Sequence, residues 1–424
     1  MKRRTFLSTG LAGLATLAQG GFHRAAASRL KTPSVAEAFD REMEAFMAAR
    51  KIPGGSLAVV KDRKLIYSRG YGWADRDKKI PAGPASLFRI ASISKSVTAV
   101  AVMKLVEAGK LSLDAKAFEL LGHDALGVGG TSATPEPRLY QITIRQLLHH
   151  TGGWDRDKSF DPMFRSAEIC KAIGGATGPA SPKDIIQYML WQKLDFDPGS
   201  RYAYSNFGYC VLGRVIEKVS GVSYEQFVRE QVLAPIGIQQ MRIGATSDGR
   251  QALGEVRYYT NEHGLAKNVF PGGDKEVPWP YGGFHLEAMD AHGGWIASAV
   301  DLARFAAALD DPTRSPLLKP GTIRTMYAPP PPPAWRTTNG SLADAFYTCG
   351  WMVRPHALSG RASYWHSGSL PGTSTLLVRR WDGLSWAALF NQRSEDKKLP
   401  DSAIDPALHR AANSVTEWPA KLKR

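Results

Sequence analysis

Ser92-Ile93-Ser94-Lys95 sets a hydroxyl and an amine three residues apart. On a helix, residues i and i+3 share a face, with Cβ atoms about 5–6 Å apart. The amine of Lys95 then reaches the hydroxyl of Ser92. A serine hydroxyl is a weak nucleophile until a base takes its proton. A lysine in a dry site has a depressed pKa and can serve as that base. A helix N-terminus adds N–H donors and a positive dipole end for a developing oxyanion. Ser94 adjoins Lys95 and is the rival nucleophile, but at i+1 it points away from the Lys95 face. Ser-x-x-Lys is common by chance and gains weight only from companions.

Two companions follow. Tyr204-Ser205-Asn206 comes after Asp197-Pro198-Gly199-Ser200-Arg201. A phenol beside a lysine ammonium loses its proton more easily and can pass protons to a leaving group. The Asn206 amide can bind a substrate carbonyl and Lys95 together. The third element is His366-Ser367-Gly368, followed by Ser369, on an expected edge strand. Gly368 leaves room for a ligand's backbone. The Ser369 N–H is a second candidate oxyanion donor.

The elements around these residues can be read from pattern. Ser34 and Glu37 form a capping box, with Val35, Phe39, Met43, Phe46 and Met47 at helical spacing. Two strands are expected over 56–60 and 65–68, around the polar turn Lys61-Asp62-Arg63-Lys64. A long helix is expected from Ser92 to Ala108, with Gly109 as its C-cap glycine. From about 115 to 290 the texture is helical and loop-rich. Helix starts are marked by Ser181-Pro182, by Ser223 with Gln226, and by Ser298. Pro329 to Pro333 reads as a stiff exposed connector, with a partner-docking segment as the alternative. Strands return at 364–365, 375–379 and 386–391, the last two joined by an Asp382-Gly383 hairpin turn. Asp405-Pro406 caps a closing helix. The expected fold class is therefore α+β: an antiparallel sheet built from both termini and flanked by N- and C-terminal helices, with an inserted, mainly helical domain. The sheet domain is placed at 34–115 plus 291–424, and the helical domain at 116–290.

The ordered set of motifs resembles the penicillin-recognising serine hydrolases: class C β-lactamases, D-Ala-D-Ala carboxypeptidases and family VIII esterases. The likeness includes the nucleophile segment Phe88-Arg89-Ile90-Ala91-Ser92 and the stretch from Ile142 to Gly153. It extends to Ser205-Asn206-Phe207-Gly208-Tyr209, Leu212-Gly213 and Gly293-Gly294-Trp295, and spans roughly residues 35 to 395. The resemblance implies a β-lactamase/transpeptidase-like fold, with Ser92 as nucleophile, Lys95 and Tyr204 sharing base and proton-shuttle work, and Asn206 orienting them. His366 and Gly368 would line the substrate edge, and the N–H groups of Ser92 and Ser369 would form the oxyanion hole. The third triplet departs from the many β-lactamases that carry lysine where this chain has His366. A largely neutral imidazole holds a substrate carboxylate more weakly than an ammonium. The expected function is an exported serine hydrolase acting through an acyl-enzyme on a small-molecule or peptide ester or amide. Alternatives are a D-Ala-D-Ala carboxypeptidase or β-lactamase proper, and a catalytically silent binding or sensor module of the same fold. The extra length between the first two motifs is assigned to Gly122–Leu139 and Trp154–Gly178, with Trp154-Asp155-Arg156-Asp157-Lys158 near the cleft.

Composition agrees with a globular chain. Of 424 residues, 43% are hydrophobic and 22% charged, which excludes a wholly disordered protein. Formal charge is +15, and the basic residues are scattered without an aromatic-interleaved stripe, so nucleic acid is not an expected partner. Lys2-Arg3-Arg4-Thr5-Phe6-Leu7, a weakly apolar stretch to Ala18 and Ala25-Ala26-Ala27 form a secretory signal of twin-arginine type over residues 1–27. The expected location is periplasmic or secreted, with no membrane span. Cys170, Cys210 and Cys349 read as buried free thiols, with one disulfide plus a free thiol as the alternative. His149-His150 lacks carboxylate partners at ligand spacing, so no metal is expected, and no cofactor is called for. His285 and His292 are expected at the surface or lining the cleft, and Trp154, Trp191 and Trp295 in packing. Oligomeric state carries no signal.

Overall fold

Eight antiparallel strands form the main sheet, and the two ends of the chain meet at its centre. In spatial order they are Ile80–Pro81, Lys64–Asp75, Gly54–Lys61, Leu384–Phe390, Thr373–Arg379, Arg361–Leu370, Met352–His356 and Phe346–Tyr347. The structure is a computed structural model describing residues 33–122, 135–175, 178–260, 264–270, 275–337, 339–357 and 359–419. The export segment expected over 1–27, and 123–134 of the glycine-rich loop, lie outside these residues. The described fold is α+β, as the alternation of patterns predicts.

The first hairpin turns on Asp62 and Arg63, both with positive φ (48° and 66°). Two consecutive residues of that kind match the right-handed twist of the flanking strands. The central strands are buried on both faces, and their side chains divide with a period of two. Leu57 and Val59 face the helices Val35–Arg50 and Ile404–Ser414, packing with Phe39, Met43, Trp386, Phe390 and Leu408. Ala58 and Val60 face the other way, into a core that runs on through Val97, Leu147, Leu212 and Leu302. That core joins the sheet to the helical region without a break, and 33–424 is one compact unit.

Helix caps fall where the sequence marks them. Ser34 and Glu37 form the reciprocal box, Ser181 caps Pro182–Met189, Ser223 caps Tyr224–Val228 and Ser298 caps Ala299–Ala307. Asp405 and Pro406 lie inside the first turn of Ile404–Ser414, not at its cap. Pro329 and Pro331 to Pro333 are exposed between the helix Pro320–Tyr327 and the strand Phe346–Tyr347, while Pro330 is buried. All three cysteines are buried and outside any disulfide. Among the described residues, no helix is long and apolar enough to cross a membrane.

The helix Ser94–Glu107 is buried on nearly every side, from Ser94 through Met103. It packs against the helix Asn206–Ser220. From that second helix, Arg214 donates to Asp290, whose other oxygen accepts the N–H of Ala291 at 2.6 Å. Arg214 and Asp290 expose only 15% and 14% of their side chains. Arg214 thus holds the loop that carries His292. Removing one member of such a pair leaves a charge buried without compensation, at a cost of about 3–5 kcal/mol. Arg214→Met is expected to lower the urea midpoint accordingly, with an unchanged denaturant slope. A variant within about 0.5 kcal/mol of wild type would show that the pair does not hold the loop.

Candidate active site

The segment that leads into Ser92 is anchored before it turns. Phe88 and Arg89 pair with Ala297 and Ile296 of the short strand Trp295–Ala297. Arg89 is wholly buried and donates to the carbonyls of Pro280 (2.7 Å) and Ala245 (2.9 Å), while its own N–H reaches the Tyr258 hydroxyl at 2.8 Å. Ala91 then adopts a positive φ of 47°. Such a backbone is costly for any residue with a Cβ and persists only where its surroundings impose it. The helix expected from Ser92 therefore begins as a 3₁₀ turn over Ala91–Ile93, and the α-helix starts at Ser94. Ser92 is half-buried at this turn. Ser94 is fully buried, and its Oγ accepts the N–H of Trp295 at 3.4 Å.

Lys95 is wholly buried, and its Nζ lies 3.1 Å from Ser92 Oγ, 2.7 Å from Asn206 Oδ1 and 2.9 Å from the carbonyl oxygen of His292. Burial pulls its ammonium well below the ordinary range; the Asp161 carboxylate opposes this and the Arg156 guanidinium adds to it. The Lys95 Nζ also sits 4.8 Å from the centre of the Tyr204 ring. Arg156 covers that ring at 4.7 Å, and the His150 ring lies 4.4 Å from it. The Tyr204 phenol is hydrogen-bonded to Ser92. Burial pushes its pKa up, against the pull of Ser92 and Arg156. Tyr204 is therefore a protonated phenol, not the easily ionised one that its nearness to an ammonium suggests.

Ser205 caps the helix Asn206–Ser220, accepting from the Gly208 N–H, while its own N–H donates to His150 Nδ1 at 3.2 Å. Asn206 is thereby fixed at the first helical position. Its Oδ1 faces Lys95, and its Nδ2 donates to Asp161 Oδ2 at 2.6 Å. Both ends of the amide have partners within the protein, so only the Lys95 half of its expected double role is realised.

The third triplet lies on Arg361–Leu370. The neighbouring strand Met352–His356 pairs only as far as Trp365, which leaves His366 to Leu370 without a partner from that strand. His366 is 5% exposed, with Nδ1 2.7 Å from the Ser367 carbonyl oxygen and Nε2 3.1 Å from the Tyr347 hydroxyl. A carbonyl only accepts, so Nδ1 carries the proton and Tyr347 donates to Nε2. Burial, reinforced by the Lys95 charge, pushes the imidazole down to about 3. The largely neutral imidazole expected from the sequence is thus driven further toward its neutral form by burial. Gly368 is also explained differently. A Cβ there would sit 2.3 Å from Thr375 Oγ1 and 2.4 Å from the Ile90 carbonyl oxygen. The glycine lets this strand close onto the Ser92 turn, and the room it leaves is filled by the protein itself. Thr375 Oγ1 donates to that same Ile90 carbonyl at 3.0 Å. Ser369 is exposed, with Oγ 3.5 Å from a nitrogen of Arg393.

Several contributors were not legible from spacing. Asp161 reads as an ordinary cap before Pro162, and it does accept the Met163 N–H at 3.1 Å. His292 is buried, not on the surface, and serves through its backbone carbonyl. His285 is partly buried, with Nδ1 3.1 Å from the Ala180 carbonyl oxygen. His149 and His150 diverge as adjacent residues must: His149 Nε2 lies 3.6 Å from Cys349 Sγ, while His150 supports Ser205. Trp154 and Trp295 are buried in the core and Trp191 packs against it.

The chain is similar to known proteins in sequence and in fold. Penicillin-binding protein 4* of Bacillus subtilis (strain 168) is 26% identical over 379 residues, covering 87% of this chain and 75% of that protein. The octameric penicillin-binding protein homologue from Pyrococcus abyssi superposes with a TM-score of 0.63 at 25% identity, covering 88% of this chain and 77% of its own. The D-amino acid amidase from Ochrobactrum anthropi SV3 shares the fold, with a TM-score of 0.66 at 21% identity over 90% of this chain and 98% of its own. The sequence model of the Beta-lactamase family matches residues 39–409, and with that span matched and the fold shared, the chain belongs to the beta-lactamase family.

Proposed function

We propose that this protein is an exported serine hydrolase that forms an acyl-enzyme at Ser92 on an ester, amide or peptide substrate. The observation that carries this reading is the environment of the Lys95 amine. Two of its three partners, Asn206 Oδ1 and the His292 carbonyl, can only accept. They take two N–H bonds, and the third direction points at Ser92 Oγ. When the amine is neutral, that direction is its lone pair, and burial favours the neutral form.

The chemistry follows from these positions. Ser92 Oγ bonds to the acyl carbon as its proton passes to Lys95 Nζ. Carbonyl electrons move to the oxygen, which the N–H groups of Ser92 and Ser369 stabilise. As the carbonyl reforms, the bond to the leaving group breaks. The leaving oxygen or nitrogen takes the Tyr204 proton, and the proton that Lys95 took from Ser92 restores the Tyr204 phenol. Water then repeats the sequence on the acyl-enzyme, releasing acid and free Ser92. The neutral His366 supplies no fixed charge for a substrate carboxylate. This favours a general acyl hydrolase over a carboxypeptidase or β-lactamase proper.

Ser92→Ala is expected to abolish labelling by a fluorophosphonate and lower ester turnover by several orders of magnitude. Ser94→Ala should still label. The reverse pattern would move the nucleophile to Ser94, and absence of labelling in folded wild type would favour the silent binding module. A fluorescent penicillin, run beside the fluorophosphonate, separates β-lactam recognition from general acyl transfer.

The pH dependence gives a second test. An imidazole held near 3 loses its charge far below neutrality, so replacing His366 by Phe should leave the shape of kcat/KM unchanged from about pH 5.5 to 8.5. A step near pH 6.5 that vanishes in His366→Phe would contradict the neutral assignment.

Export supplies a third. Twin-arginine addresses are read by a receptor and not as charge alone. Arg3→Lys with Arg4→Lys should strand the precursor in the cytoplasm, whereas normal processing would indicate the general secretion route.

A further inference from the structure

We infer that Asp161, with Arg156 beside it, is the positioning carboxylate that fixes the Asn206 amide and so aims the Lys95 lone pair at Ser92. The inference rests on the serine-hydrolase reading and names two residues that no family motif supplied. Asn206 has two ends of similar shape and opposite hydrogen-bonding sense. With Oδ1 toward Lys95 it accepts an N–H, which leaves the amine free to face Ser92. With Nδ2 toward Lys95 it would donate, and the neutral amine would spend its lone pair on Asn206. Nothing in Asn206 itself chooses between these states. Asp161 Oδ2, 2.6 Å from Nδ2, does choose, because a carboxylate can only accept.

The carboxylate is itself held in place. Its Oδ1 accepts the Met163 N–H at 3.1 Å, and its side chain is 13% exposed. Arg156 approaches Oδ2 at 4.0 Å, with its own side chain 42% exposed. The two residues act on Lys95 with opposite signs. The Asp161 carboxylate favours the ammonium, and the Arg156 guanidinium disfavours it. The other titratable groups around the amine are Tyr204, Tyr209, His150, His292 and His366. Burial holds all five neutral: the tyrosines are pushed up and the histidines down. The two charged neighbours should therefore set the acidic limb of the pH profile.

The test uses the second-order rate of fluorophosphonate labelling at Ser92, measured against pH on the mature protein. Lys95 must be neutral to act as base, so the rate rises through its pKa. Asp161→Asn removes the negative charge, weakens the ammonium and shifts the limb to lower pH. A displacement on the order of one pH unit is expected for one nearby charge. The rate on the plateau should also fall, by up to about a hundredfold, because the replacement amide can donate as well as accept and no longer enforces the Asn206 orientation. Arg156→Gln, at an exposed side chain, should shift the limb the other way, to higher pH. Opposite shifts support the inference. A limb unmoved in both variants overturns it, even if the plateau falls, because a purely packing role predicts that result. If Asp161→Asn does not fold, the direction of the Arg156→Gln shift decides. A wild type that fails to label at Ser92 would instead sink the hydrolase reading itself.

Discussion

The structure turns on one amine kept out of water. An ammonium moved into a protein interior loses its hydration, at a cost far exceeding a single hydrogen bond. Lys95 meets that cost with three oxygen partners and, when deprotonated, still satisfies the same three directions. The site therefore offers all three directions a partner in either protonation state, as the proposed proton transfer requires. Each partner comes from a different part of the chain, so the fold has to bring distant segments together within hydrogen-bond reach.

The architecture explains how it does so. The helix Ser94–Glu107 is buried on every side from Ser94 through Met103, so whatever stands at its first turn is central by construction. The His292 carbonyl is delivered by a loop that has no room for a side chain at Gly294, where a Cβ would meet the Leu286 carbonyl oxygen at 2.9 Å. Asn206 is set by the Ser205 cap, and the strand Arg361–Leu370 is closed onto the Ser92 turn by Gly368. Strands from both chain ends share one sheet, so the edge carrying Ser369 and the turn carrying Ser92 are fixed to a common frame.

How much of this can be read in the sequence follows from the range of each interaction. The caps at Ser34, Ser181, Ser223 and Ser298 are local hydrogen bonds between residues three apart, and all four are legible. Apolar runs bounded by polar turns place the strands, and the triplets at Ser92, Tyr204 and His366 mark the candidate site through residue type. The positive φ at Ala91 has no signal, because alanine does not favour that conformation and only the surrounding contacts impose it. Asp161 is hidden behind a second, local role as the cap of Pro162–Phe164. A backbone acceptor such as the His292 carbonyl is invisible to any argument from side chains. The protonation state of Tyr204 also escaped, since burial decides it and spacing does not report burial.

That burial has a further consequence for the site as a whole. His150, His292 and His366 each feel the Lys95 charge as a repulsion, added to the desolvation that already disfavours their cationic forms. A proton entering this cluster is best placed on Lys95, where two carbonyl oxygens and a hydroxyl are arranged to receive it. Once there, it makes protonation of each imidazole harder still. The three histidines therefore act as neutral dipoles of fixed tautomer or position: one supports the Ser205 backbone, one offers its carbonyl, and one accepts from Tyr347. Low dielectric and mutual repulsion disfavour a charge on any of these imidazoles, which leaves the amine facing Ser92 Oγ as the candidate base of the proposed reaction.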